Sequence, residues 1–140
     1  MDYCSLAITR SMGMAERIRA HLLDDGDGFA ARLGLFGVKI SGCPNSCGQH
    51  HVGDIGLTGH TVTENDGVQR PYYSILVGGS VGEGHGRIGK RLGRFPEEDA
   101  AAAVAAVARY YERERQPGER FPAFVDRVGL ATLQAAIPRA

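Results

Sequence analysis

The sequence has no excess of charge of either sign. Lysine plus arginine and aspartate plus glutamate number 16 each, so the formal net charge is zero. Proteins that bind nucleic acid or an anionic membrane over much of their surface usually carry a basic surplus. We therefore expect neither kind of partner, and any electrostatic recognition must come from local groups of residues.

Long apolar runs, a leader peptide and paired cysteines are also missing. No apolar stretch approaches the roughly 20 residues that span a bilayer, and residues 1–4 have neither the positive nor the apolar region of a secretory signal peptide. The chain contains 3 cysteines, which cannot form a closed set of disulfides. These absences predict a soluble protein of the reducing cytoplasm.

The length and the order of the sequence patterns predict one α+β domain over residues 1–140. A chain of 140 residues with 43% hydrophobic residues can bury a single core, and no interdomain linker interrupts it. Apolar residues at helical spacing predict a helix from Cys4 to Leu23 and a short one over Phe29–Leu33, closed by Gly34. Because strand patterns follow before further helices, we expect a mixed β-sheet covered by helices.

The middle of the chain carries the strand signals and the last third the helical ones. Alternation of apolar and polar residues predicts strands over 37–41, 54–58, 61–63 and 72–77, with a hairpin turn at Asp66-Gly67. Six glycines predict that residues 78–89 form a long loop. Proline and acidic residues in 94–99 indicate a helix start, and we expect helices over 100–111, 121–125 and 130–137.

The most specific chemical signal is the turn Ser41–Gly48, which reads SGCPNSCG. It places Cys43 and Cys47 four positions apart, directly after a predicted strand, and Cys4 is the third cysteine. Thiolates are soft donors that favour iron–sulfur or zinc centres over hard cations. The spacing leaves open an iron–sulfur centre, a zinc site and buried unreactive thiols. We expect the adjacent His50 and His51 to be surface or hydrogen-bonding residues and not ligands.

The segment 38–59, from VKISGCPNSCG to DIGLTG, resembles the second cluster-binding motif of the siroheme- and [4Fe-4S]-dependent nitrite and sulfite reductases. That family carries its cluster on a C-x5-C pair and a later C-x3-C pair, and residues 2–9 resemble the end of the first pair. The likeness continues through the strand pair, Gly78-Gly79 and the helical region. It implies the fold of the family's C-terminal 4Fe-4S domain.

The resemblance also implies a ligand set and a function. Cys4, Cys43 and Cys47 would hold a [4Fe-4S] cluster, and the Cys47 thiolate would also be the axial ligand of siroheme iron. Electrons would pass through this sulfur for the six-electron reduction of nitrite or sulfite. Asn45 would cap the turn or bond a siroheme carboxylate, and Arg87, a basic residue of the glycine-rich loop, would pair with another.

Carried over by position, the fourth cysteine would lie six residues before Cys4, ahead of Met1. We therefore expect a domain truncated within its first cysteine motif, inactive alone and without catalytic residues of its own. Its partners would be the N-terminal siroheme and substrate half of the parent enzyme and an electron donor such as ferredoxin or a flavoprotein. Two alternatives remain: a non-catalytic zinc-binding or cofactor-free module, and a precorrin-modifying relative of the same family.

Overall fold

A four-stranded sheet of order β1-β2-β3-β4 lies at the centre of the computed structural model, which describes residues 4–23, 26, 28–82 and 86–138. Its strands are β1 (Val38–Ser41), β2 (Ile55–Thr63), β3 (Gln69–Val77) and β4 (Lys90–Pro96). β1 runs parallel to β2, and the other two pairs are antiparallel. The sheet is therefore mixed.

Helices enclose the apolar face of this sheet. The described residues form α1 (Ser11–Leu23), α2 (Phe29–Leu33), α3 (Glu97–Glu114), α4 (Phe121–Val128) and α5 (Leu130–Ala136), and a 3-10 turn spans His50–Val52. α3 begins with three acidic residues, which suits the positive end of the helix dipole. Within the described residues, no helix combines the length and the apolar character that crossing a membrane requires. The predicted α+β architecture is confirmed.

The two faces of the sheet differ because side chains alternate along each strand. Tyr73, Ile75 and Val77 of β3 are fully buried and belong to one hydrophobic cluster with Val104 and Val107 of α3. The opposite face carries polar side chains from neighbouring strands, called here the polar face: Thr58 and His60 of β2, Ser74 of β3 and Arg91 of β4. α3 thus covers one side of the sheet, and the polar residues lie on the other.

Most of the predicted elements are confirmed, several with the expected bounds. The second helix spans Phe29–Leu33, and Gly34 after it has φ 70°. The strand before the cysteine turn ends at Ser41. Gly67 has φ 77° in the hairpin turn, and its N–H donates to Glu64 O over 2.9 Å. The segments 54–58 and 61–63 form the single strand β2.

The first helix begins later than the sequence predicts. α1 starts at Ser11, so Cys4 precedes it, and Met12, expected on its apolar stripe, is 56% exposed. The reason lies in the backbone of the preceding segment, where the N–H groups of Ile8 and Thr9 both donate to Gly42 O over 3.0 Å. These bonds hold residues 8 and 9 against the cysteine turn and divert them from the helix.

Strand β4 was not predicted: residues 90–93 were assigned to no element, and residues 94–96 to a helix start. Leu92 is its one residue in the buried core, and Gly93 and the surrounding basic residues weaken the strand signal. A register irregularity opposite Ile75 and Leu76 further breaks the alternation on which the prediction relies. The expected loop also contains a short antiparallel bridge between Ser80 and Arg87.

We predict that Gly56→Ala destabilises the protein by about 2 kcal/mol or more, because overpacking a rigid site is costly. A Cβ at Gly56 would lie 1.8 Å from His50 O, which is backbone. The matched control is Gly13→Ala in α1, where the added Cβ would lie 3.7 Å from Arg10 Cβ, an ordinary contact. Urea unfolding should show a lower midpoint for Gly56→Ala and an unchanged or higher one for Gly13→Ala; equal midpoints would contradict the packing described.

Candidate metal centre

The three predicted ligands line one cavity of about 370 Å³. Cys43 is buried in it, whereas Cys4 and Cys47 are exposed at its surface. Ile40 at the end of β1 and Met12 at the start of α1 contribute apolar walls. The fold therefore brings together cysteines that lie far apart in the sequence, and it does so at the end of a strand.

The segment that carries Cys4 is attached to the cysteine turn by its backbone. In addition to the amide bonds to Gly42 O, the Thr9 hydroxyl donates to the same oxygen over 3.1 Å. Thr9 is buried, and a Cβ at position 42 would lie 2.9 Å from Thr9 O. Gly42 is thus required by the close approach of two backbone segments, which fixes Cys4 near Cys43.

The turn itself folds back onto β1. Ser46 and Gln49 have positive φ angles of 63° and 54°, and the Gln49 N–H donates to Ser46 O over 2.7 Å. A Cβ at Gly48 would lie 2.0 Å from Ile40 O, so only glycine permits this packing. The result is a tight loop that presents both Cys43 and Cys47 to the same cavity.

Two buried residues, Ser41 and His50, hold the cysteine turn against the end of β1. The Gly48 N–H donates to Ser41 Oγ over 3.1 Å, and the Ser41 hydroxyl also forms a hydrogen bond with His50 Nδ1, 2.8 Å away. Burial, followed by the charge of neighbouring His51, lowers the pKa of His50 and favours the neutral ring.

Sequence reasoning treated His50 as a surface or hydrogen-bonding residue and gave Ser41 no role. The hydrogen bond of His50 agrees with part of that expectation, yet its side chain is 2% exposed. Nothing in the local pattern signals this burial, because it depends on how the turn returns to β1. His51 is exposed, and its Nδ1 lies 3.1 Å from Ser46 Oγ.

The donor set fits an iron–sulfur cluster better than a single ion. Among the described residues, no three His, Cys, Asp or Glu side chains are grouped so that they could hold one metal ion. A tetrahedral zinc site needs such a group, because its ligand bonds of about 2.3 Å must converge on one atom. A four-iron cluster offers a different iron to each thiolate. The chain supplies three of the four thiolates that such a cluster usually has.

Asn45 and Arg87 lie outside the cysteine cavity. Asn45 is exposed within the turn, and its proposed bond to a cofactor remains a prediction. Arg87 forms a two-pronged ion pair with Asp126 of α4, at 2.7 and 2.8 Å, and Lys90 contacts the same carboxylate. The hydrogen bonds from Arg87 and Lys90 lower the pKa of Asp126. In this structure Arg87 therefore joins the glycine-rich loop to α4.

We predict that Ser41→Ala destabilises the protein by roughly 1–3 kcal/mol, because it leaves the Gly48 amide and His50 Nδ1 buried without a partner. Alkylation of Cys47 should also become faster, since the loop loses an anchor. Ser80→Ala is the matched control, because Ser80 Oγ also accepts a backbone N–H, from Gly82 over 3.0 Å, but at the surface where water can replace it. Unfolding midpoints that fall equally for both variants would refute the role given to Ser41.

Comparison with known proteins agrees with the fold. The family model described as the nitrite and sulphite reductase 4Fe-4S domain matches residues 5–139. The sulfite reductase [NADPH] hemoprotein beta-component of Myxococcus xanthus is 34% identical over 131 residues, which cover 90% of this chain and 19% of that protein. The assimilatory ferredoxin-dependent nitrite reductase of Haloferax mediterranei is 27% identical, over 91% of this chain and 22% of its own length.

A solved structure also has this fold. The structure of the Mycobacterium tuberculosis NirA protein aligns with a TM-score of 0.80 and 26% identity, covering 93% of this chain and 24% of that one. The chain thus spans about a fifth to a quarter of the length of these relatives. Because the family model matches nearly all of it, the chain belongs to the nitrite and sulphite reductase 4Fe-4S domain family.

Proposed function

We propose that this chain is the cluster-bearing domain of a nitrite or sulfite reductase, with residues 1–140 forming one unit of a longer enzyme. Cys4, Cys43 and Cys47 bind a [4Fe-4S] cluster, and Cys47 shares its sulfur with siroheme. The observation that carries this proposal is that three cysteines from distant parts of the sequence line one cavity. Membership in the family supports the type of cofactor.

The different exposure of the cysteines supports different roles. Cys43 is buried, so its thiolate binds the cluster from the inner side of the cavity. Cys47 is exposed, and its sulfur can therefore contact a second group that lies outside this chain. When bound, cluster and siroheme supply the one-electron chemistry that side chains lack. The task of this chain is to fix the thiolates and to keep the inner one away from water.

The rest of the parent enzyme supplies the groups that this chain lacks. A fourth thiolate and the siroheme and substrate half come from outside these 140 residues, and the cluster half alone is inactive. The substrate is nitrite or sulfite, reduced by six electrons, and the donor is a ferredoxin or a flavoprotein in the cytoplasm. The names of the relatives, which include ferredoxin- and NADPH-dependent enzymes, support this range of donors.

We predict that Cys4→Ser, Cys43→Ser and Cys47→Ser each remove most of the cluster from the parent enzyme, because each deletes a thiolate ligand. Iron and acid-labile sulfide per chain, measured after anaerobic purification, report this loss. Ser46→Ala, in the same turn, keeps all the thiolates and should retain the cluster. The 140-residue chain alone, reconstituted with iron and sulfide, should load weakly.

Two results would contradict the proposal. One is a colourless parent protein that binds one zinc ion per chain and loses it in all three cysteine variants. The other is a parent enzyme whose iron and sulfide content is unchanged when Cys4 or Cys47 is replaced. A parent that holds the cluster and siroheme but reduces neither anion would refute the assigned substrates, while leaving the cluster site intact.

A further inference from the structure

An apolar groove of about 390 Å³ lies beside β1, at the edge of the sheet. Helices α1 and α2 form its sides, and its lining includes Ile18, Leu22, Leu33, Val38 and Ile40. Among the described residues that line it, only Arg19 is charged, and Leu23 is 47% exposed. An exposed apolar surface of this kind marks a place where another segment packs. Its position beside an edge strand indicates a strand as the occupant.

Alternate residues of β1 direct their backbone groups away from β2. The Ile55 N–H donates to Gly37 O over 3.2 Å, and successive residues of a strand direct their N–H and C=O groups to opposite sides. Val38 and Ile40 therefore direct theirs to the outer edge, and no strand of the described residues pairs there. The cysteine turn covers Ile40 O, because Gly48 packs against it. The outer edge thus presents Val38 O and both N–H groups.

The path of the chain from Cys4 to β1 is that of a strand–helix–strand unit. The N–H groups of Ile8 and Thr9 donate to Gly42 O, just beyond the carboxyl end of β1. α1 then begins at Ser11 and contacts β1, and the chain returns through α2 to the amino end of that strand. Parallel neighbouring strands are joined by a crossover of this kind, usually a helix. A strand that leads into Cys4 would therefore run parallel to β1.

We propose that the segment which precedes Cys4 in the parent enzyme adds to the outer edge of β1 as a parallel strand and places apolar side chains in the groove. One of its residues, opposite Lys39, donates its N–H to Val38 O and accepts the Ile40 N–H. Ile40 lines both the groove and the cysteine cavity, so the added strand ends beside the thiolates. The inference rests on the proposed function, which makes these residues one unit of a longer enzyme.

Amide hydrogen exchange of Val38 and Ile40 tests this pairing, because both N–H groups face the added strand. Three proteins are compared: the 140-residue chain, the same chain extended by about 20 residues of the parent sequence, enough for a strand and the cysteine loop, and the parent enzyme. We expect exchange at both amides to be at least about tenfold slower in the two longer proteins. The Lys39 N–H, which faces β2 throughout, should change far less.

Two variants of α1 test whether the groove holds the added strand. Ala15 lines the groove and is exposed, and Ala20 is equally exposed but does not line it. Ala15→Glu should restore fast exchange of Val38 and Ile40 in the extended chain, because it places a carboxylate against apolar side chains. Ala20→Glu, the matched control, should leave exchange slow. In the 140-residue chain, urea unfolding should give similar midpoints for both variants, since both positions face solvent there.

Three results would overturn the proposal. One is exchange of Val38 and Ile40 at the same rate in all three proteins. Another is protection that appears only in the complete parent enzyme, because a separate domain would then occupy the groove. The third is slow exchange in the 140-residue chain that depends on its concentration, because a second copy would then cover the edge.

The readout also separates this inference from the proposed function, because backbone amides report the pairing and iron and sulfide content reports the cluster. A parent enzyme that holds its cluster while Val38 and Ile40 exchange as fast as in the 140-residue chain would refute this inference alone. A parent enzyme whose β1 edge is protected but which binds no cluster would refute the cluster assignment and leave the added strand standing.

Discussion

One carbonyl oxygen holds the two cysteine-bearing segments together. Gly42 O accepts hydrogen bonds from the N–H groups of Ile8 and Thr9 and from the Thr9 hydroxyl, all within 3.1 Å. This contact holds the segment that carries Cys4 beside the turn that carries Cys43 and Cys47. The same contact explains why the backbone at position 42 must be glycine and why α1 begins only at Ser11.

The interactions on the other side of the turn complete this arrangement. Ser41 Oγ accepts a hydrogen bond from the Gly48 amide and forms another with His50 Nδ1, so the loop is held where it leaves β1 and where it returns to the sheet. Two cavities then lie beside one turn: one is lined by sulfur, and the other is lined by cationic and hydroxyl groups. The zero net charge of the chain conceals this local separation.

Much of the fold could be predicted from the sequence, because its signals are local. The stripe of Val104, Val107 and Tyr111 is buried as helical spacing requires, and Asp66-Gly67 forms the expected turn. The three cysteines predicted as ligands line one cavity, and their role as ligands stays a prediction. β4 and the true start of α1 were missed, because they depend on pairing with β3 and on bonds to Gly42, which no short-range pattern encodes.

The parts of the site that were not predicted also depend on contacts between residues far apart in the sequence. Nothing near His50 or His60 in the sequence distinguishes a buried histidine from a surface one, and the position of each follows from tertiary packing. Arg87 illustrates the converse: its basic character suggested a cofactor contact, but its partner in the structure is Asp126, thirty-nine residues later. Residue type indicated the available chemistry, and only the fold decided where it is used.

The central claim, that Cys4, Cys43 and Cys47 ligate one iron–sulfur cluster, is tested most directly by measuring the alkylation rate of each cysteine in the parent enzyme. Mass spectrometry resolves the three sites before and after anaerobic removal of iron with a chelator. We expect all three to be protected when iron is bound, and we expect removal to make Cys4 and Cys47, which are exposed in this chain, react faster than the buried Cys43. Alkylation of Cys4 or Cys47 at the same rate with and without iron would contradict the claim.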